Sequence, residues 1–362
     1  MCRAVPKDIG AFQNLTQKEN SFMPGEVNFT LAGSDEKRRA PSYFASACLF
    51  TIAAVGLTLI PPLVGLVSSL VGERFPGLDG AFFDNLVQVL FYGVCVVLPV
   101  GLYMRARPGI ADAMRVNGIG LKKAALCAFA GVVGLFFTNY VSYLWLILIE
   151  SLGGTLSSGR VAVPTTASAL SEAIVFSAVL PGVCEEVLFR GALLSAWERR
   201  GSRAAVVVSA LWFTMLHASV EGAPAEFVNG VVLAVIVVLT DSIFAGMIYH
   251  TVYNSAALIV SYIASFQPET AAEAASLFAA IGGAAGLISV LFNILISGLT
   301  LFFFIRVLGR IRLLEGKTGF GVPKIPKQRD WSWAELGVTL AGAAVMSIWY
   351  AADIFRIAGY IP

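Results

Sequence analysis

The chain has 362 residues, of which 57% are hydrophobic and 13% are charged, and its formal net charge is +2. About a quarter of the residues of an ordinary soluble domain are charged, so this composition argues against a soluble protein and predicts an integral membrane protein. The near-neutral charge and the lack of a strongly basic patch also argue against nucleic acid as a partner.

Nine apolar segments follow one another along the chain. An α-helix needs about 20 apolar residues to cross a hydrocarbon core of roughly 30 Å. The fifth and sixth segments are shorter, which is typical of half-length or tilted helices lining a site. We therefore predict an all-α, polytopic transmembrane bundle with eight or nine spans, in a cell membrane and surrounded by membrane lipid. The segments are approximately residues 43–71, 85–103, 124–150, 168–194, 204–217, 227–240, 242–265, 282–304 and 338–358.

Lysine and arginine residues predict the orientation of the bundle, because cytoplasmic connections are enriched in them. The outer connections contain only Arg74 and Arg160 when the N-terminus is placed in the cytoplasm. With nine crossings, the C-terminus is then on the outer side. The basic residues number 6, 5, 3 and 7 in the cytoplasmic segments 1–42, 105–123, 195–203 and 305–336.

The polar start of the chain is set apart from the apolar remainder. Residues 1–42 precede the first apolar segment, and we predict that they form a cytoplasmic N-terminal tail. Residues 43–362 then form the membrane domain.

The fourth apolar segment contains Glu185, Glu186 and Arg190 close together near its middle and end. Charged groups at membrane depth are costly, so they are rare and tend to mark functional sites. Residues four apart share a helix face, so Glu186 and Arg190 are placed to form a buried ionic pair that supports the structure. Glu185 points to another face and has no counter-ion of its own. This unpaired carboxylate is therefore a candidate general base.

The chain has only two histidines, His217 and His250, and both lie in later apolar segments. Phe213 and Asn254 each lie four residues from one of them, so each pair shares a helix face. We estimate the depth of each residue by counting about 1.5 Å per residue from the predicted cytoplasmic end of its helix. By this estimate, both histidines can meet Glu185 in one layer of the membrane. A lone membrane histidine commonly makes an interhelical hydrogen bond. Two histidines and an unpaired glutamate at comparable depth predict a site.

One carboxylate and two imidazoles are compatible with two kinds of peptide-bond hydrolysis. In the first, Glu185, His217 and His250 hold Zn²⁺, and the metal activates a bound water. In the second, Glu185 and His217 activate the water directly. His250 and Asn254 then donate hydrogen bonds to the oxyanion. The sequence contains neither His-Glu-x-x-His nor Gly-x-Ser-x-Gly, so it lacks the familiar zinc-protease and serine-hydrolase signatures.

Three ordered motifs resemble the three-part signature of the CPBP family, the CaaX-protease and bacteriocin-processing intramembrane proteases. This family includes the type II CaaX prenyl endopeptidases, abortive-infection and bacteriocin-immunity proteins, and proteins similar to the lysostaphin-resistance protein. The resemblance covers about residues 168–262, which we take as the protease core. The motifs are Glu185-Glu186-x-x-x-Arg190, Phe213-x-x-x-His217 and His250-x-x-x-Asn254.

The resemblance implies an all-α membrane core whose site faces an internal cavity. It implies an intramembrane endopeptidase, of the metalloprotease or the glutamate type, that hydrolyses a peptide bond of a membrane-associated protein or peptide. Zinc is a candidate cofactor, and a metal-independent mechanism remains compatible with the motifs. The implied roles are water activation for Glu185 and His217, oxyanion or metal binding for His250 and Asn254, and support for Glu186, Arg190 and Phe213.

Two functions of other classes would use the same polar residues. A transporter would use them as a proton or substrate relay, but this chain lacks the matching halves that such transporters show. A non-enzymatic bacteriocin-immunity protein would retain its function after Glu185→Gln. The sequence therefore favours the endopeptidase, with substrate identity and oligomeric state unassigned.

Overall fold

The computed structural model describes residues 42–71, 75, 80–107, 110–156, 163–266, 282–315 and 332–360, and this part of the chain contains helices and no β-strand. Apart from Ser42, the predicted N-terminal tail lies outside the described residues. The main helices, numbered in chain order, are α1 (Tyr43–Val71), α2 (Gly80–Ala106), α3 (Leu121–Ser151), α4 (Ala167–Trp197), α5 (Ser202–His217), α6 (Ala223–Thr240), α7 (Ile243–Ala264), α8 (Gly283–Leu314) and α9 (Trp333–Ile357).

Eight of these helices are long and apolar enough to cross a membrane, and the shorter α5 is the exception. The predicted all-α, polytopic architecture is therefore confirmed, and the chain is a multi-pass membrane protein. The sixth apolar segment gives a longer helix than expected, because α6 begins at Ala223 rather than near residue 227. The cytoplasmic position of the N-terminus stays a prediction.

Several helices extend beyond the apolar segments that predicted them. Helix α8 continues through Arg306 and Arg312 to Leu314, although its apolar segment ends at residue 304. Lys122 and Lys123 lie in the first turn of α3. Hydropathy marks where a span meets the polar boundary, whereas the backbone hydrogen bonds of a helix continue past that boundary.

Residues in the left-handed conformation end the two helices that precede α7. Ala218 has φ +51° after α5, and Asp241 has φ +54° after α6. A left-handed residue stops a helix and turns the chain sharply. Helices α5, α6 and α7 therefore follow one another with short connections, which brings the residues of α5 and α7 close to those of α6.

Two helices contain wider, π-helical turns. They occur at Phe91–Val97 in α2 and at Ile174–Val179 and Val187–Leu194 in α4. The segment Leu180–Glu186 between the two wide turns of α4 is regular α-helix and contains both glutamates of the first motif. A wide turn changes which face the following residues present, and such turns are frequent at functional sites.

Helix α7 packs closely between α3 and α4. A Cβ atom added to Gly131 of α3 would lie 2.6 Å from the carbonyl oxygen of Tyr249 in α7. A Cβ atom added to Gly182 of α4 would lie 2.9 Å from the backbone nitrogen of Thr251, also in α7. Small residues allow such backbone approach between membrane helices. The two glycines thus fix α7 near the glutamates of α4.

A buried ionic cluster fixes the end of the bundle where α4 and α6 finish. The Arg115 guanidinium contacts Glu198 at 2.5 Å and Asp241 at 3.3 Å. The Arg115 carbonyl accepts a hydrogen bond from the Ile243 N–H at 2.9 Å. This cluster ties the connection before α3 to the ends of α4 and α6 and to the start of α7.

We expect Gly131→Ala to lower the thermal stability of the protein, because the added methyl group would collide with the backbone of α7. Gly101→Ala in α2 is the matched control, since its Cβ would meet nothing within 4 Å. That control should leave stability unchanged or raise it by up to about 1 kcal/mol through helix propensity. Thermal unfolding in detergent measures both variants, and equal melting temperatures would contradict the close packing of α3 and α7.

Candidate active site

A cavity of about 360 Å³ lies between α4, α5, α6 and α7. The side chains that the sequence assigned to chemistry, Glu185, His217, His250 and Asn254, line this cavity together with Phe213. The structure thus brings together residues from three helices, as their predicted depths suggested. The supporting residues Glu186 and Arg190 lie behind the cavity wall and are fully buried.

Glu185 is oriented by a residue from another helix. The Tyr92 hydroxyl of α2 donates a hydrogen bond of 2.6 Å to Glu185 Oε1. The second oxygen, Oε2, has no hydrogen-bond partner within the described part of the chain. Glu185 is 6% exposed, so this acceptor is buried at the cavity wall. A carboxylate held on one oxygen with the other vacant can accept a proton there.

Glu186 and Arg190 form the pair that their spacing predicts. Arg190 Nη1 donates to Glu186 Oε1 at 2.8 Å, and neither side chain is exposed. Arg190 Nη2 also donates to the Gly230 carbonyl of α6 at 3.0 Å. The guanidinium carbon lies 4.6 Å from the centre of the Phe213 ring, within the range of a cation–π contact. The pair therefore links α4 to α5 and α6.

His250 lies between the two glutamates. Its Nδ1 atom is 3.1 Å from Glu186 Oε1, and its Nε2 atom is 3.9 Å from Glu185 Oε2. Because Glu186 is paired with an arginine, its carboxylate accepts the hydrogen bond and the Nδ1–H donates it. The Nε2 atom is then directed toward Glu185, at the cavity.

His217 is the last residue of α5, and its ring is fixed by the preceding turn. Its Nδ1 atom is 2.8 Å from the Phe213 carbonyl oxygen. A carbonyl can only accept, so Nδ1 carries the hydrogen, and Nε2 of the neutral ring is an acceptor. The ring centres of Phe213 and His217 are 4.5 Å apart. Phe213 therefore supports Arg190 on one side and His217 on the other.

The connection after His217 is anchored by α9 and α3. Asp353 of α9 accepts the Val220 N–H at 2.7 Å, and Arg356 binds both Asp353 and Glu221 at 2.9 Å. The Trp145 indole of α3 donates to the Val220 carbonyl at 2.8 Å. Helices outside the matched motifs thus hold the short connection that positions His217.

Asn254 is oriented by the wide turn of α4. Its Nδ2 atom donates to the Ser177 carbonyl at 3.4 Å, which is long for an N–H···O bond. The second Nδ2 hydrogen is left for another acceptor. Asn254 also lies one turn beyond His250 on α7, so both side chains reach the same cavity.

Sequence reasoning missed several residues of the site. Tyr92 gave no signal, because a tyrosine in an apolar segment is common and its contact with Glu185 spans two helices. Glu226 lies just before the predicted start of its apolar segment, whereas Asn229 lies inside it. A buried amide within an apolar helix is a signal of the same kind as the histidines. Tyr253 also lines the cavity, one position before Asn254.

The residues present do not fit the three-ligand zinc site. In the described part of the chain, no group of three His, Cys, Asp or Glu side chains is placed to hold a metal ion. Glu185 Oε2 and His250 Nε2 are 3.9 Å apart, but no third donor of these types is placed with them among the described residues. We therefore derive no step through a metal.

Comparison with known proteins bears on the same segment. Residues 168–256 match the family model described as type II CAAX prenyl endopeptidase Rce1-like. Over this segment the chain is similar to that family. This confirms the resemblance to the CPBP family and supports a protease, because the match includes all three motifs from Glu185 to Asn254. Searches of curated proteins and of solved structures gave no significant match.

We expect Arg190→Leu to destabilise the protein by about 3–5 kcal/mol, because it leaves Glu186 as an uncompensated buried charge. The double variant Glu186→Gln/Arg190→Leu should recover part of this loss, since the amide is neutral and can still accept from His250. Thermal or denaturant unfolding compares the two variants with the wild type. An unchanged unfolding profile for Arg190→Leu would argue that the pair does not form.

Proposed function

We propose that this protein is an intramembrane endopeptidase that hydrolyses a peptide bond of a membrane-associated protein or peptide. The observation that carries this proposal is the vacant Oε2 atom of Glu185, which shares one cavity with His217 and His250. Glu186 Oε2 also lacks a partner among the described residues, but Glu186 lies behind the cavity wall, whereas Glu185 presents its acceptor at the cavity beside both histidines. The family match of the same segment supports the proposal.

Water activation is assigned to Glu185 and His217. The water lies in the cavity and donates one hydrogen to Glu185 Oε2, while Tyr92 holds the other carboxylate oxygen. His217 Nε2 accepts the second hydrogen of the water and so fixes its orientation. As the water oxygen bonds to the peptide carbonyl carbon, its proton passes to Glu185.

Oxyanion stabilisation is assigned to His250 and Asn254. In its doubly protonated form, His250 donates Nδ1–H to Glu186 and directs Nε2–H into the cavity. The Nδ2 hydrogen of Asn254 that Ser177 does not bind adds a second donor. These donors stabilise the negative charge that develops on the carbonyl oxygen. The C–N bond then breaks, and Glu185 returns its proton to the leaving amine.

Glu185→Gln should abolish hydrolysis without unfolding the protein, because the amide keeps the shape and can still accept from Tyr92 but cannot take a proton from water. Glu172→Gln is the matched control, since Glu172 is an exposed glutamate on the same helix and does not line the cavity. Cleavage of a library of membrane peptides by protein in lipid vesicles measures both. Wild-type turnover in Glu185→Gln would contradict the base assignment, whereas absence of cleavage in both the wild type and Glu185→Gln would favour a binding-only immunity protein.

The two histidines give a test of the metal-independent route. We expect His217→Ala and His250→Ala each to lower turnover while the metal content of the purified protein stays as in the wild type. Loss of an oxyanion donor such as His250 typically lowers turnover by about 10²–10³-fold. Turnover assays combined with elemental analysis check this expectation. If active wild-type protein contains stoichiometric zinc, and either variant loses both the zinc and the activity, the zinc mechanism would hold instead.

A further inference from the structure

One wall of the cavity is formed by α6, and the hydrolysis described above does not use it. Glu226 and Asn229 lie three residues apart on this helix, so they share a face, and both line the cavity. Asn229 is 4% exposed, and its Oδ1 atom accepts no hydrogen bond from the described residues. A buried acceptor is normally satisfied. This wall therefore presents an acceptor that a ligand N–H group can fill.

The charge of the cavity lining favours a cationic ligand. Glu185 and Glu226 both line the cavity, whereas none of its described lining residues is a lysine or an arginine. Arg190 is bound to a carboxylate behind the wall, and Arg356 is bound to two carboxylates near the α5–α6 connection. With His250 doubly protonated, two carboxylates face one imidazolium, so the lining keeps a net negative charge and attracts ligands of the opposite sign.

We propose that the Glu226–Asn229 face is a subsite for a basic side chain or an amine of the peptide substrate. This inference rests on the endopeptidase function proposed above. The cationic group donates one N–H to the Glu226 carboxylate and another to Asn229 Oδ1. Glu185 lines the same cavity of about 360 Å³. The peptide bond next to the basic residue of the substrate therefore lies within reach of the activated water.

A structural role is the competing explanation for Glu226. It lies in the first turn of α6, where a carboxylate interacts favourably with the helix dipole. A side chain at Gly222 would collide with Glu226 Oε1, so the carboxylate lies close to the start of the helix. This role predicts that Glu226→Gln changes stability and leaves peptide preference unaltered.

Binding to a catalytically inactive protein separates the two explanations. The full chain with Glu185→Gln, in lipid nanodiscs, is titrated with a fluorescent blocked pentapeptide, Leu-Ala-Lys-Ala-Leu. The comparison peptides carry norleucine or glutamate in place of the lysine. We expect the lysine peptide to bind about tenfold more tightly than the norleucine peptide, and the glutamate peptide to bind least. Equal affinities, or a preference for glutamate, would overturn the proposal.

Variants of the Glu226–Asn229 face test whether these two residues cause the preference for the lysine peptide. Adding Glu226→Gln should reduce the preference for lysine to within about twofold, because the charge partner is lost. Glu172→Gln is the matched control, since Glu172 is exposed and does not line the cavity, and it should keep the full preference. Asn229→Asp adds a carboxylate and should strengthen lysine binding. A preference that survives Glu226→Gln and is not increased by Asn229→Asp would overturn the subsite.

The same peptides distinguish failure of the subsite from failure of the proposed function. If the lysine peptide binds preferentially but the wild-type chain cleaves none of the library, the subsite stands and the endopeptidase proposal is wrong. If the wild-type chain cleaves peptides regardless of a basic residue, the endopeptidase stands and the subsite is wrong.

Discussion

The fully buried pair of Glu186 and Arg190 is the interaction on which the rest of the site depends. Taking both charges out of contact with solvent is costly, and further hydrogen bonds offset part of this cost. Arg190 also binds the Gly230 carbonyl, and Glu186 also accepts from His250. Three helices therefore meet at one charge pair, and losing either partner would leave a buried charge without compensation.

This pair also explains why two adjacent glutamates differ in role. Each glutamate has one oxygen, Oε2, without a hydrogen-bond partner among the described residues. Glu186 Oε1 binds an arginine and a histidine behind the cavity wall, whereas Glu185 Oε1 binds a tyrosine and the side chain lines the cavity. Neighbouring residues of a helix point about 100° apart. One glutamate can therefore complete the buried pair while the other faces the cavity. The division of roles follows from helix geometry.

Short helix α5 sets the depth of the cavity. It ends at His217 after 16 residues, too few for a full crossing by the usual estimate of about 20 residues. The connection that follows is held by Asp353 and Trp145, which lie on helices outside the matched segment. The remaining helices thus supply more than a membrane anchor, because they fix the position of the turn that bears His217.

Helix spacing predicted much of this arrangement from the sequence. The i, i+4 rule predicted the pairing of Glu186 with Arg190, and the apolar surroundings of His217 and His250 marked them as unusual. Tyr92 could not be predicted, because it reaches Glu185 across 93 residues of sequence and no periodicity encodes such a contact. The wide turns of α2 and α4 have no clear residue signature. The face that each helix presents after such a turn could therefore be assigned only from the structure.

Hydropathy also placed helix ends imperfectly for a physical reason. Glu226 lies before its predicted segment because a polar residue lowers local hydropathy, yet α6 already begins at Ala223. The cavity lies at this boundary between apolar and polar sequence. Residues that line an internal polar cavity are therefore easily assigned to a connection when hydropathy alone is used.

The central claim is that water, activated by Glu185, attacks the peptide bond directly. The most direct measurement is a single turnover in H₂¹⁸O, quenched during the reaction and analysed by mass spectrometry of both the intact protein and the products. Direct attack predicts one ¹⁸O atom in the new carboxyl group of the product, with no peptidyl adduct on the protein and no label in Glu185. A peptidyl-enzyme adduct, or ¹⁸O incorporated into the Glu185 side chain, would contradict the account.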